Sequence, residues 1–162
     1  MLKHVHFVSQ RQAEKIEGRS DVIVVSIHAR YCLPNLHRGF CDVLDMSFDD
    51  HDPQRDGMDA LQEKFNAEHA KTLKSWLEPY LRPTSNFHLL VHCYAGISRS
   101  AAVAWWAHKV YGPDLATTYP AWYLNRHVLR ILDPTIDPPV RPTDAPAIPP
   151  TRNLEAPPRL YG

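Results

Sequence analysis

The nine residues from His92 to Ser100, HCYAGISRS, combine the groups that nucleophilic attack on an oxyanion requires. Cys93 supplies a sulfur nucleophile, and Arg99 supplies a planar guanidinium that can donate two parallel hydrogen bonds to two oxygens of one phosphate. The residues between them are Tyr94, Ala95, Gly96, Ile97 and Ser98. A segment of this length can curl so that successive backbone N–H groups point inward and hold an anion. The spacing therefore predicts a phosphate-binding loop over residues 93–99, here named the cysteine loop, in which all the residues from Tyr94 to Arg99 contact the phosphate.

Several neighbours of Cys93 favour its reactivity. Gly96 permits the backbone torsion of a tight turn, and a helix starting near Ser98 directs its positive dipole end at the same point. These groups and the guanidinium of Arg99 favour the thiolate, which is the nucleophilic form of a cysteine. The Ser100 hydroxyl can donate a hydrogen bond to the sulfur and make it a better leaving group. His92 is expected to order the loop by hydrogen bonding rather than to act as a base.

Each of these residues has a simpler interpretation when it is taken alone. A single cysteine is usually a small buried hydrophobic residue, and this is our prediction for Cys32 and Cys41. A single arginine at the start of a helix usually lies on the surface. The combination of Cys93, Gly96 and Arg99 at these spacings after a buried strand favours the functional interpretation.

The elements that must position this loop alternate between strand and helix patterns. Strand patterns cover residues 5–8, 22–27, 42–48 and 87–91, and helix patterns cover residues 11–17, 67–81, 98–109 and 124–132. Such alternation predicts an α/β fold with a mainly parallel central sheet of about four to five strands and helices on both faces. The cysteine loop should lie between a buried strand and a helix, where ligands of open α/β sheets bind.

The composition changes near residue 133. Nine of the 15 prolines fall between Pro134 and Pro158. Proline lacks an N–H and fixes φ, so this segment cannot form a helix or a central strand. We therefore predict a catalytic domain over residues 1–132 and a proline-rich tail over residues 133–162, either free or laid along the domain surface. The tail is either a passive extension or a docking segment for a partner that recognises proline-rich peptides.

Charge and cysteine content exclude several classes of function. Eighteen Lys and Arg balance 18 Asp and Glu, so no basic field attracts nucleic acid or an anionic membrane. We find no pattern of a signal peptide or a membrane span, and three scattered cysteines form neither a disulfide framework nor a zinc motif. These features predict a cytoplasmic protein with reduced thiols and without a metal, a cofactor or a nucleic-acid partner.

HCYAGISRS resembles the HCxxGxxRS signature of the protein tyrosine and dual-specificity phosphatase superfamily, with every fixed position present. The chain is most similar to the small dual-specificity-like phosphatases of bacteria, more loosely over residues 20–132. The resemblance implies a cysteinyl-phosphate on Cys93 that water then hydrolyses, without a metal or cofactor. It also implies a phosphorylated protein or peptide as substrate, and an aspartic acid on a movable loop that protonates the leaving oxygen.

Three aspartates follow the third predicted strand, and Asp50 matches the family position of this acid best, ahead of Asp49 and then Asp52. The segment between them and the cysteine is longer than in the short family members, so counting along the chain does not fix the choice. Low-molecular-weight phosphatases use an Asp-Pro pair after the cysteine, which makes Asp133 a further candidate. Asn125 either positions the hydrolytic water or caps the last helix.

The sequence leaves the substrate open. Phosphotyrosine and phosphoserine or phosphothreonine both fit, whereas a loop whose only cation is Arg99 disfavours phosphoinositides. RNA 5′-phosphates and small metabolites remain alternatives. The loop can also serve a phosphate-binding or redox-sensing module without efficient turnover. Arsenate reduction would need partner cysteines, for which Cys32 and Cys41 are available.

Overall fold

A parallel sheet forms the centre of the molecule. The computed structural model describes residues 2–30, 32–57, 63–116 and 120–145. Within these residues the strands are β1 (His4–Ser9), β2 (Val22–His28), β3 (Asp42–Ser47), β4 (His88–Cys93) and β5 (Asp114–Ala116). They pair side by side in the order β3-β2-β4-β1-β5, and every pair is parallel. The predicted α/β class with a mainly parallel sheet is confirmed.

Helices connect the strands. They are α1 (Gln10–Ala13), α2 (Pro53–Asp56), α3 (Ala67–Leu77), α4 (Arg99–Tyr111) and α5 (Arg126–Leu132), with 3₁₀ turns at Glu78–Leu81 and Ala121–Tyr123. Over the ranges that the structure describes, no helix is long and apolar enough to cross a bilayer.

The two faces of the sheet are covered unequally. Residues paired across two adjacent parallel strands point to the same face of the sheet, and side chains alternate between the faces along each strand. Val5 and Leu89 therefore face one side, and Val8 faces the other. The first face carries the main core, formed by strand residues together with the buried sides of α3, α4 and α5. The second face carries a smaller cluster under α1 that includes Ala13. Helices on both faces are thus confirmed, with most of the buried apolar surface on one side.

Two predicted helices end earlier than expected. Helix α1 ends at Ala13 because the N–H groups of Lys15 and Ile16 donate to carbonyls three residues earlier rather than four, which forms a tighter turn. The helix predicted over residues 67–81 is α-helical only to Leu77. Pro79 lacks the N–H that the next α-helical bond needs, so the chain continues as a 3₁₀ turn.

Strand β5 and helix α2 were not predicted. With only three residues, β5 is too short to show an alternating pattern. It forms because Gly112 ends α4 in a left-handed conformation (φ 75°), after which Asp114 N donates to Lys3 O at 3.1 Å. Helix α2 spans four residues, which is also too short for a periodic signal.

Residues 133–145 of the proline-rich segment lie along the domain. Ile136 packs against the main core, and Trp105 of α4 donates its indole N–H to Asp137 O at 3.0 Å. The guanidinium of Arg141 lies 5.8 Å from the ring centre of Tyr123. The remainder of the predicted tail, residues 146–162, is outside the described residues.

Candidate active site

The cysteine loop lies where β4 ends and α4 begins. Cys93 is the last residue of β4, and Arg99 is the first residue of α4. All six residues of β4 are buried, so the strand fixes the position of Cys93 firmly. The loop therefore lies between a buried strand and a helix N-terminus, as the sequence predicts, at the carboxyl edge of the sheet.

Contacts outside the loop hold its carbonyl groups. Tyr94 O accepts a hydrogen bond from Gln10 N at 3.3 Å, and Ser98 O accepts from Asn125 N at 3.1 Å. Gly96 N donates to the Sγ of Cys93 at 3.3 Å. Since carbonyls of the loop are bound from outside and an amide turns toward the sulfur, the loop has the polarity of an anion-binding nest.

Gly96 cannot be replaced without rearranging the loop. Its φ is 73°, in the left-handed region that disfavours side chains. A Cβ at this position would also lie 2.2 Å from Ser9 N and 2.3 Å from the carbonyl carbon of Val8. The close approach of the loop to the end of β1 thus requires a residue without a side chain.

Cys93 itself is buried, with 1% of its surface exposed. The contact predicted for Ser100 is present, because its Oγ lies 3.2 Å from the sulfur. The sulfur is therefore surrounded by the amide of Gly96 and the hydroxyl of Ser100, both of which can donate a hydrogen bond to a thiolate.

Arg99, at the end of the cysteine loop, has a buried guanidinium. Only 6% of its surface is exposed, and its Nη1 donates to Phe48 O at 2.6 Å. Its Nε is buried and has no hydrogen-bond partner among the described residues. A buried donor without an acceptor costs about 1–3 kcal/mol. An anion in the loop would supply the missing acceptor.

Asp50 is the aspartate that the structure brings to the cysteine loop. Its Oδ1 accepts hydrogen bonds from Ser98 Oγ at 2.7 Å and from Asn125 Nδ2 at 2.8 Å. Asp50 is exposed, so its carboxyl group is accessible to a substrate bound over the loop.

The other aspartates have structural contacts. Asp49 forms two hydrogen bonds with the backbone of Glu63, at 2.8 and 2.9 Å. Asp52 caps α2 by accepting from Gln54 N at 3.0 Å. Asp133 follows the far end of α5, and hydrogen bonds from the Thr135 side chain and backbone lower its pKa below the usual range. None of these three contacts the cysteine loop in the hydrogen bonds of the described residues.

Helix α5 supports residues 49–57, here named the aspartate loop. Asn125, which precedes the helix, donates to His51 O at 3.3 Å in addition to Asp50. Arg130 Nη2 donates to Gln54 Oε1 at 2.9 Å. The loop is also joined to the cysteine loop at its start, because Arg99 binds the carbonyl of the preceding residue, Phe48.

The prediction that His92 orders the loop by hydrogen bonding is wrong. Neither of its ring nitrogens has a hydrogen-bond partner among the described residues. Side chains alternate along a strand, so His92 lies on the face of β4 opposite to Cys93, in register with Ser26 and Val8. Burial lowers the pKa of His92 to about 4, so the ring is neutral at physiological pH.

The expectation that Cys32 and Cys41 are buried is also wrong, since both are exposed. Both belong to the irregular segment between β2 and β3, where no core surrounds them. Cys41 N donates to Val22 O at 2.8 Å, which places it at the amino edge of the sheet, opposite to Cys93. Cys41 is therefore a poor partner for arsenate reduction at Cys93.

Two features of the site were missed by the sequence analysis. Ser98 looks like a helix N-cap, yet its side chain makes no cap hydrogen bond and contacts Asp50 instead. Asn125 does cap α5, by accepting from Val128 N at 3.0 Å, but the sequence did not indicate that it also binds Asp50. A serine at a helix start and an asparagine at another carry no local signal of such distant contacts.

Similarity to known proteins does not add to this picture. Comparisons with protein-family models, with curated proteins and with solved structures gave no match. The residues of the site itself therefore carry the functional conclusion.

Proposed function

We propose that this protein hydrolyses phosphate monoesters through a cysteinyl-phosphate, as the tyrosine and dual-specificity phosphatases that its HCYAGISRS segment resembles do. The observation that carries the proposal is the environment of Cys93. Its sulfur lies in a loop with two carbonyls bound from outside, and the loop ends at Arg99, a buried arginine with an unpartnered Nε. This arrangement suits a phosphate dianion directly above a sulfur nucleophile.

In the first step, the sulfur of Cys93 attacks phosphorus while the bond from phosphorus to the ester oxygen breaks. Arg99 and the amides of the loop stabilise the charge on the phosphoryl oxygens. Asp50 gives its proton to the departing oxygen, so that an alcohol or phenol leaves and Asp50 becomes a carboxylate.

In the second step, water attacks the phosphorus of the cysteinyl-phosphate. The Asp50 carboxylate takes a proton from that water, and the bond between sulfur and phosphorus breaks. Ser100, 3.2 Å from the sulfur, donates a hydrogen bond to the thiolate as it leaves. The products are inorganic phosphate and the enzyme in its original form.

The substrate we propose is a phosphorylated protein or peptide carrying phosphotyrosine or phosphoserine and phosphothreonine. The cysteine loop holds a single cation, Arg99, which matches one phosphate rather than the several of a phosphoinositide head group. The formal net charge of zero supports a substrate that is not captured as a polyanion.

Replacing Cys93 with serine tests the mechanism. Turnover of 4-nitrophenyl phosphate should be abolished, because a serine hydroxyl is a far weaker nucleophile at neutral pH. Vanadate binding should stay within about tenfold of wild type, because the anion-binding groups are mostly backbone amides. The intermediate on Cys93 is to be trapped by acid quench with ³²P-labelled substrate.

Two results would contradict the proposal. One is turnover by the Cys93→Ser variant above about 1% of wild type, which would exclude a covalent mechanism on this residue. The other is a wild-type protein that binds vanadate but releases no phosphate, which would indicate a binding module instead. If neither result is found, phosphopeptide capture by the Cys93→Ser variant would identify the natural substrate class.

A further inference from the structure

We propose that Ser98 and Asn125 act together as positioning residues for Asp50, and that they fix its acidic proton on Oδ2. This inference rests on the proposed function, in which Asp50 is the general acid. It assigns two residues outside the nucleophile and the phosphate-binding amides to the protonation of the leaving group.

The orientation of the Asn125 amide follows from its contacts. Its Oδ1 accepts from Val128 N at 3.0 Å, and a backbone N–H can only donate. The other end of the amide is therefore the NH₂ group, which lies 2.8 Å from Asp50 Oδ1 and 3.3 Å from His51 O. With 1% of its surface exposed, Asn125 has these neighbours rather than water as partners.

The Ser98 side chain binds Asp50 instead of capping its own helix, α4. A serine at a helix start usually accepts a hydrogen bond from an N–H in the first turn. The side chain of Ser98 makes no such bond, and its hydroxyl lies 2.7 Å from Asp50 Oδ1. A cap of this kind stabilises a helix, so the contact with Asp50 takes the place of a stabilising one.

Both contacts fall on the same oxygen of Asp50. The Asn125 NH₂ group has donors only, so Oδ1 must act as an acceptor toward it. The Ser98 hydroxyl occupies a second direction at Oδ1. A proton on Oδ1 would require the Ser98 hydroxyl to accept instead of donate, and it would weaken Oδ1 as the acceptor for the Asn125 NH₂ group, so the acidic proton is carried by Oδ2. Ser98 and Asn125 thereby determine which carboxyl oxygen of Asp50 donates the proton to the leaving group.

The variant Asn125→Asp separates this role from helix capping. Aspartate caps helices as well as asparagine does, so α5 should remain intact. The substitution replaces a donor beside Asp50 with a carboxylate, which repels Asp50 and removes the hydrogen bond. Asn66 caps α3 in the same manner, by accepting from Glu68 N and His69 N, so Asn66→Asp is the matched control.

The first measurement is the leaving-group dependence of the rate. For phenyl phosphate, whose leaving group needs a proton, kcat/KM should fall about 10–100-fold in Asn125→Asp. For 4-nitrophenyl phosphate, whose leaving group departs unaided, the loss should be below about threefold. Asp50→Asn should show a larger effect of the same kind, and adding Asn125→Asp to it should cause little further loss. Ser98→Ala should show a smaller loss with the same dependence, and Asn66→Asp none.

The second measurement does not need turnover. The carboxyl ¹³C signal of Asp50, assigned by its loss in Asp50→Asn, reports the titration of this group. Its midpoint should move upward by about one unit or more in Asn125→Asp, since a neighbouring carboxylate favours the protonated form. It should also move upward in Ser98→Ala, because a donor to the carboxylate is lost.

The outcomes distinguish the two proposals. An active wild type in which Asn125→Asp changes neither the leaving-group dependence nor the Asp50 titration would overturn the positioning role and leave the phosphatase proposal standing. An inactive wild type with the expected upward shift would refute the phosphatase proposal and support the assignment of Asn125 to Asp50. An inactive wild type without the shift would refute both.

Discussion

The two edges of the parallel sheet carry similar kinds of side chain in different surroundings. At the amino edge, the imidazoles of His4 and His88 stack with ring centres 5.2 Å apart. His4 Nδ1 lies 3.8 Å from Asp114, and His88 Nε2 lies 3.9 Å from Asp21. The titratable groups of this edge thus contact one another, and none of the described groups there is arranged to hold a metal ion.

At the carboxyl edge, the polar groups converge on one point instead. Cys93 and Arg99 are the two ends of the cysteine loop, Asp50 comes from the aspartate loop, and the helix that follows β4 begins at Arg99. A helix that follows a parallel strand always starts at the carboxyl edge, so only this edge offers inward N–H groups and a positive dipole end. The direction of the backbone, rather than the density of titratable side chains, marks the candidate site.

We expect the largest difference in activity between the two edges when an arginine is replaced with lysine. Arg99→Lys should lower kcat/KM for 4-nitrophenyl phosphate about 10²–10³-fold, because a lysine cannot reproduce the two-pronged contact with phosphate. Arg19, which binds Asp21 at the amino edge at 2.7 and 2.9 Å, is the matched control. Arg19→Lys should keep the rate within about twofold, since an exposed ion pair contributes little. Equal losses in both variants would contradict the comparison.

A second pair consists of two glycines with almost the same backbone conformation. Gly96 has φ 73° and Gly112 has φ 75°, but a Cβ meets backbone atoms only at Gly96. Gly112→Ala should lower the free energy of unfolding by about 1 kcal/mol, the cost of the left-handed torsion alone. Gly96→Ala should lower it by about 2 kcal/mol more and should also impair the loop. Urea titration with a parallel rate measurement tests this, and similar costs at the two positions would refute the close packing of the loop against β1.

A third comparison concerns stability in acid. Burial lowers the pKa of His92, and likewise that of His6, to about 4. The unfolded chain protonates its histidines near pH 6.5, so the folded state is fully favoured above that pH and loses stability as the pH falls toward 4. For His92 the loss amounts to about 3 kcal/mol. His92→Phe and His6→Phe should each make the decline in the free energy of unfolding shallower in urea titrations between pH 7.5 and 4. An unchanged decline in both would contradict the neutral buried state.

The local parts of the site could be predicted from the sequence. The positions of Cys93, Gly96 and Arg99 depend on contacts within a few residues of a strand end, so their spacing in the sequence was sufficient to predict where the loop lies. The choice among Asp49, Asp50 and Asp52 depends on which of them is already used elsewhere. Asp49 binds the backbone of Glu63, and Asp52 caps helix α2. Neither contact leaves a recognisable pattern in the neighbouring sequence.

The rest of the site depends on contacts between distant segments. Asp50 meets Ser98 and Asn125 across 48 and 75 residues of chain. Hydrophobic periodicity reveals which side of a helix is buried, but it does not specify which polar group meets it at the helix start. The orientation of His92 was available from strand alternation, since it precedes Cys93 directly and must point to the other face.

Helix α5 gives the site two parts of different local stability. The cysteine loop is fixed to β4 and α4, in the middle of the main core, whereas the aspartate loop is supported by a helix of seven residues. Isolated helices of this length are marginal, so α5 depends on its packing against α3 and α4. We expect its amide hydrogens to exchange with solvent faster than those of β4, through openings that leave the core intact. Each such opening separates Asp50 from Asn125, the cap of α5, while the cysteine loop persists. In the mechanism that we propose, warming should therefore weaken protonation of the leaving group before it weakens binding of phosphate.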